Sequence, residues 1–221
     1  MTTATGAFMP AIDLPSPPLA AMPHWAIGDT IDRLLCIFDD GMTLSVMRRP
    51  LSDEIAASVD GVMGQPRSLE WSWRGAPNDA MRADLARELK APQEDALVDD
   101  VCLLAEAIAY LFEAPLIGVR LRRLNSAMCP RFHVDNLGVR FITTYAGPGT
   151  EWLPEHAANR RGLGAASPDK PDIVRDASQI QRLAAGDLAL MKGSGWIGNA
   201  GGGLIHRSPP GQRLMLAIDP G

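Results

Sequence analysis

Hydrophobic positions fall into two regimes along this chain, and the change comes near residue 116. Before it, Leu97, Val101, Leu104, Ile108 and Leu111 recur at spacings of four and three, which predicts a helix with one apolar face. Met81, Leu85 and Leu89 predict another helix starting at Asn78, and Ile55, Val59 and Met63 a third, capped by Ser52 with Asp53 and Glu54 in its first turn. Trp71 and Trp73 alternate across Ser72 and read as a strand. Cys36-Ile37-Phe38 and residues 43–46 predict two short strands around the turn Asp39-Asp40-Gly41. Beyond 116 the spacing becomes two: Ile117, Val119 and Leu121 alternate with Gly118, Arg120 and Arg122. Further strands are expected at 132–134, 139–145, 188–191, 204–207 and 214–218, separated by turns rich in Pro and Gly. That pattern belongs to a sandwich or barrel.

The predicted class is therefore α+β. A Pro-rich arm spans residues 1–23, mainly helical support covers 24–115, and a β-barrel covers 116–221. The arm holds Pro10, Pro15, Pro17, Pro18 and Pro23 with no periodic apolar pattern. Cys102 lies beside the stripe of the strongest helix and reads as a small buried hydrophobe.

Charge narrows the range of partners. The 221 residues carry a net charge of −5, which argues against a general nucleic-acid or anionic-membrane binder. The densest basic cluster, Arg120, Arg122 and Arg123, still leaves room for one basic pocket. The expected partner is a small-molecule substrate; no oligomeric state is read from the sequence. No apolar run approaches the roughly 20 residues of a membrane span. The first basic residue is Arg33, so no charged segment precedes an apolar one and no secretory signal is expected. Three cysteines, an odd number without CxxC spacing, fit a reducing cytoplasm.

The candidate chemistry lies in His133-Val134-Asp135, followed far downstream by His206 and Arg213. On a strand, His133 and Asp135 point to one side. With His206 they make a two-histidine, one-carboxylate set able to hold Fe(II) on one face and leave the other open. A tight connection at 208–211 would set His206 opposite Arg213, with Cβ atoms about 5 Å apart. A guanidinium there suits a bidentate grip on a carboxylate. Cys129, four residues before His133, offers a competing arrangement: a thiolate added to the same three ligands completes a tetrahedral zinc shell. The glycines at 193, 195, 198, 201, 202 and 203 run from one strand into another and do not form a phosphate-cradling loop. Asp187, after Gly186, reads as a turn residue.

The order of His133–Asp135, the Gly186-Asp187 strand, His206 and Arg213 resembles that of Fe(II)/2-oxoglutarate-dependent dioxygenases. The resemblance covers roughly residues 116–219. It implies a double-stranded β-helix (a jelly-roll or cupin-like barrel), Fe(II) on His133, Asp135 and His206, and Arg213 on the distal carboxylate of 2-oxoglutarate. It also implies hydroxylation of a substrate of unknown identity. The alternative left open by Cys129 is a cupin-like zinc-binding or metal-sensing protein without oxygenase activity. More narrowly, residues 129–136 and 144–152 resemble a bacterial domain-of-unknown-function family, number 1826, which carries no established activity.

Around this set, Tyr145 is a candidate donor to the co-substrate carboxylate, on a face shared with Val139, Phe141 and Thr143. Glu151 reads as an exposed loop carboxylate. Trp152 and Trp196 are candidates for a substrate mouth or for buried packing. His24 and His156 receive no role, His24 being placed on the mobile arm.

Overall fold

The computed structural model describes residues 23–92, 95–199 and 201–221. The proposed arm therefore lies outside the described residues, apart from Pro23. In chain order the elements are β1 (Trp25–Gly28), α1 (Asp32–Leu35), β2 (Leu44–Met47), α2 (Asp53–Met63), β3 (Glu70–Gly75), α3 (Asp79–Leu89), α4 (Ala96–Leu111), β4 (Ile117–Leu124), β5 (Val139–Ala146), β6 (Glu151–Trp152), β7 (Gln181–Arg182), β8 (Leu188–Lys192), β9 (His206–Arg207) and β10 (Arg213–Pro220).

The helices start where their caps place them. The Ser52 hydroxyl accepts from the Ile55 N–H, the Asn78 carbonyl oxygen from Ala80 and Met81, and the Asp95 carboxylate from Leu97 and Val98. The face of α4 predicted to be apolar is buried, and Cys102 lies within it. One expectation fails: Cys36–Phe38 is a 3₁₀ turn continuing α1, not a strand. Only Ile37 of that triplet is buried, so a single inward residue was needed and one turn of helix supplies it.

Two sheets face each other. The larger runs β1-β2-β8-β5-β10-β4-β3, antiparallel except for the β1–β2 pair, and the smaller runs β7-β6-β9. An isolated antiparallel bridge between His133 and His206 adds the 132–134 segment beside β9. Two opposed sheets of this strand order form a double-stranded β-helix, with three strands from the N-terminal half extending the larger sheet.

Period-two alternation sorts the larger sheet into two faces. Val119, Leu121, Phe141, Tyr145, Leu190, Leu214, Leu216 and Ile218 join one core with the apolar sides of α2, α3 and α4. Burying that many aliphatic side chains, each worth about 1.5–3 kcal/mol, fixes which face the helices cover. The opposite face carries Arg120, Arg122, Arg140, Ile142, Met191, Met215 and Ala217, which line a cavity between the sheets. A separate, smaller core holds the short sheet in place through Phe132, Leu153, Ala157, Ala158, Ile173 and Ile205. Phe132 and Ile205 immediately precede His133 and His206, so burying them outward turns the histidines inward.

Candidate metal centre

His133 and His206 are held as a pair by backbone bonds in both directions: each N–H donates to the other's carbonyl at 2.9 Å. Residues paired in this way present their side chains on one face. The two imidazole centroids are 4.6 Å apart. Asp135, two residues on, brings one carboxylate oxygen to 3.5 Å from His133 Nε2 and the other to 3.7 Å from His206 Nε2. One donor atom from each residue lies within 4.8 Å of the other two, the only such group of three or more among the described residues.

The ring nitrogens are already sorted for ligation. His133 Nδ1 is 3.0 Å from the Arg131 carbonyl and His206 Nδ1 is 3.1 Å from the Leu204 carbonyl. A carbonyl only accepts, so each Nδ1 carries the proton and each Nε2 offers its lone pair to the centre of the group. That is the arrangement in which a backbone acceptor fixes the tautomer of a metal-binding histidine.

Charge states agree with this. Burial pushes His206 down to about 4, against the opposing pull of Asp135, so its imidazole is neutral at pH 7. The hydrogen bond to Asp135 raises His133. Burial acts to raise Asp135, but its hydrogen bond to His133, the His206 imidazolium present at such acid pH and the Arg140 charge outweigh that and leave it at about 2. A carboxylate ionised throughout the neutral range, beside two imidazoles, is a donor set that could hold a divalent cation.

Asp135 is oriented by a residue the sequence did not single out. Arg140 Nη1 donates to Asp135 Oδ2 at 2.7 Å, and its Nε and Nη2 donate to the two oxygens of Asp219 at 2.7 and 3.0 Å. Arg120 also donates to Asp219. Polar residues on the inner face of a strand read, by alternation alone, as its solvent side, which is why Arg140 and Asp219 escaped notice.

Glycines set the spacing of this layer. A Cβ on Gly193 would lie 2.2 Å from the Leu137 carbonyl oxygen and 2.5 Å from that of Asp135. Gly203, at φ +91°, would place one 2.6 Å from Val134 Cγ1. The glycine-rich run thus lets the chain pass close behind the His133–Asp135 segment.

Several expectations are corrected. His206 does not face Arg213: it pairs with His133 on one side and Trp152 on the other, while Arg213 pairs with Leu124 in the larger sheet. The adjacent Pro209 and Pro210 prevent a tight hairpin, and the connection carries the chain from one sheet to the other. Cys129 lines the cavity but is not one of the grouped donors, so no closed four-ligand zinc shell forms among the described residues. It lies in an irregular segment, where the shared face assumed for positions 129 and 133 of a strand does not apply.

Tyr145 is buried on the helix side of β5, where its hydroxyl donates to Asp100 at 2.7 Å, and Arg49 grips the same carboxylate at 2.5 and 3.0 Å. Burial first, then Asp100, raises its pKa well above the ordinary value. Periodicity separated the two faces of β5 correctly but did not say which one turned to the cavity.

Glu151 is buried rather than exposed, bonded to Arg182 and, at 2.6 Å, to Arg207. Trp152 packs against Trp25 with ring centroids 5.3 Å apart, and Trp196 against Phe38 and Phe112 at 6.0 and 6.4 Å; neither lines the cavity. His24 is fixed, with Nδ1 2.6 Å from Thr43 Oγ1 and Nε2 accepting from the Glu155 N–H at 3.0 Å. Asp187 serves its turn, as expected, by accepting from Ala184 N–H at 2.8 Å.

Arg213 has an unusual environment. It begins β10 on the same face as Met215 and Ala217, and is 1 % exposed. Its Nη1 donates to the Pro209 carbonyl at 2.8 Å and its Nη2 to Ser208 Oγ, while Nε has no partner. No carboxylate lies within ion-pair distance of it among the described residues. Burial lowers its pKa, the expected response of a cation deprived of both water and a counter-charge.

The fold and site together define a double-stranded β-helix protein with a facial two-histidine, one-carboxylate centre. The chain belongs to the family described as "Protein of unknown function (DUF1826)", whose model matches residues 28–219. No curated protein matches it in sequence. Among solved structures, the dioxygenase for auxin oxidation 1 of Arabidopsis thaliana, in its 2-oxoglutarate complex, is similar at 12 % identity and TM-score 0.42, covering 78 % of this chain and 73 % of that one. A prolyl-4-hydroxylase of Pseudomonas putida is similar at 12 % identity and TM-score 0.40, covering 85 % and 95 %. HygX of Streptomyces hygroscopicus, with nickel, 2-oxoglutarate and hygromycin B bound, is similar at 12 % identity and TM-score 0.38, covering 86 % and 85 %.

Proposed function

We propose that this protein is a non-haem Fe(II)/2-oxoglutarate-dependent oxygenase acting on a small substrate within the barrel. Convergence of His133 Nε2, His206 Nε2 and the Asp135 carboxylate beside a cavity of about 260 Å³ carries the reading. Three protein ligands on one side, with space on the other, suit Fe(II) and leave positions for co-substrate and oxygen. Bound there, Fe(II) supplies oxygen activation coupled to oxidative decarboxylation of 2-oxoglutarate and hydroxylation of a substrate C–H bond.

The chain's own residues divide the remaining tasks. Arg140 holds the Asp135 carboxylate, and the Arg131 and Leu204 carbonyls hold the two imidazoles. Arg213 anchors the distal carboxylate of 2-oxoglutarate, with Ser208 turning its hydroxyl from the guanidinium to the ligand. A buried cation with no counter-charge is costly, and an incoming carboxylate relieves that cost. Ile142, Met191 and Met215 give the cavity an apolar wall.

The test is 2-oxoglutarate-dependent succinate formation by anaerobically iron-loaded protein, abolished by His133→Ala or Asp135→Ala. Full iron occupancy with no succinate across a broad substrate panel would refute the reading.

A further inference from the structure

The cavity beside the metal centre carries more cationic side chains than its carboxylates neutralise. Arg120, Arg122, Arg140 and Arg207 line it. Arg120 and Arg140 share Asp219, and Arg140 also holds Asp135. Arg207 is matched by Glu151, which Arg182 shares. Arg122 is the exception. Its one hydrogen-bond partner among the described residues is a thioether, Met128 Sδ, 3.3 Å from Nη1. Glu70 lies directly across the β3–β4 pair, where side chains share a face, yet forms no ion pair with it. The guanidinium instead meets Met128, another residue of the cavity wall.

We infer that Arg122 anchors the anionic group of the substrate, and that the substrate is a small molecule joining a carboxylate or phosphate to an apolar body. The assignment rests on reading the triad cavity as the substrate site. Its polarity follows from the lining: Met128, Met191, Met215 and Ile142 offer an apolar surface, and Arg122 offers an unmatched fork of donors at its edge. Arg213 is a separate anion position. Arg122 stands opposite Met215 on β10, whereas Arg213 stands opposite Leu124, two residues farther along β4. Arg213 is not part of that lining, although its partner Ser208 is, so an anion held by Arg213 and one held by Arg122 would occupy different positions.

The experiment is calorimetric titration of the full-length protein with hexanoate, hexyl phosphate and hexanamide, with and without 2-oxoglutarate. Hexanoate or hexyl phosphate should bind at least tenfold more tightly than hexanamide, and the tighter of the two identifies the anion. Arg122→Gln should reduce that preference at least tenfold while leaving 2-oxoglutarate affinity and melting temperature unchanged. Arg122→Lys should restore part of it. Equal binding of hexanoate and hexanamide, or no binding of either anion, would overturn the inference. So would loss of 2-oxoglutarate together with hexanoate in Arg122→Gln, which would make Arg122 the co-substrate anchor. Binding is measured without turnover, so an absence of succinate would remove the oxygenase reading and leave this result standing.

Discussion

Arg140 donates to Asp135 at 2.7 Å from the inner face of β5, tying that carboxylate to the larger sheet, while His206 belongs to the smaller one and His133 is bridged to it. The metal centre therefore spans the two layers of the barrel, and its geometry depends on their separation. Asp219 completes the link by accepting two bonds from the same guanidinium. Removing a partner that orients a metal ligand typically weakens metal binding 10–100-fold. Arg140→Ala is expected to do so here, as measured by competition with a chromophoric chelator, with Asp219→Asn showing a smaller loss in the same direction.

Metal stoichiometry separates the ligands from their neighbour Cys129. Metal analysis of purified variants is expected to show loss of the ion in His133→Ala, Asp135→Ala and His206→Ala, and full retention in Cys129→Ser. Retention follows because Cys129 lies outside the group of converging donors. Loss of metal in Cys129→Ser would restore the zinc shell.

Arg213 is expected to matter more for binding than for folding. It is a buried cation without a carboxylate partner among the described residues, so its removal sacrifices two hydrogen bonds to Pro209 and Ser208 but also relieves an uncompensated charge. Arg213→Met should change the melting temperature little and weaken 2-oxoglutarate binding at least 100-fold by calorimetry. A collapse of stability with unchanged 2-oxoglutarate affinity would assign Arg213 to the fold alone.

Gly203 permits the close passage behind His133–Asp135. Gly203→Ala combines a positive φ with a Cβ 2.6 Å from Val134 Cγ1, and should cost about 1–3 kcal/mol of stability, read from chemical denaturation. Because Val134 lies between two ligands, metal affinity should fall as well.

Acid sensitivity should be traceable to Glu151. Burial acts to raise its pKa, but Arg182 and Arg207 more than offset this and hold it below its ordinary 4.5. A carboxylate depressed in the folded state stabilises fully above its unfolded pKa, and that contribution is lost as pH falls through the folded value. Melting temperatures of wild type and Glu151→Gln should therefore differ most above pH 4.5 and converge below it. A difference independent of pH would show that the pairs with arginine contribute nothing through charge.

The sequence by itself determined α2, α3, α4 and most of the longer strands, because apolar periodicity and cap residues are local signals; α1, β1, β6 and β7 are too short to carry a readable period. Asn78 and Ser52 marked helix starts, and the 117–121 alternation marked β4. It also marked the candidate donors: His133 and Asp135 are two residues apart on an extended segment, and His206 is one of only four histidines. What the tertiary structure decided is which surfaces meet. Alternation divides β5 into two faces but is symmetric between them. Only the packing of α2, α3 and α4 against Phe141 and Tyr145 turns Arg140 and Ile142 toward the metal centre. Pairing across distant strands is likewise invisible locally. It sets His206 beside His133 rather than Arg213, leaves Cys129 outside the donor group, and leaves Arg122 without a counter-charge among the described residues, because those contacts arise from two sheets folding over one cavity.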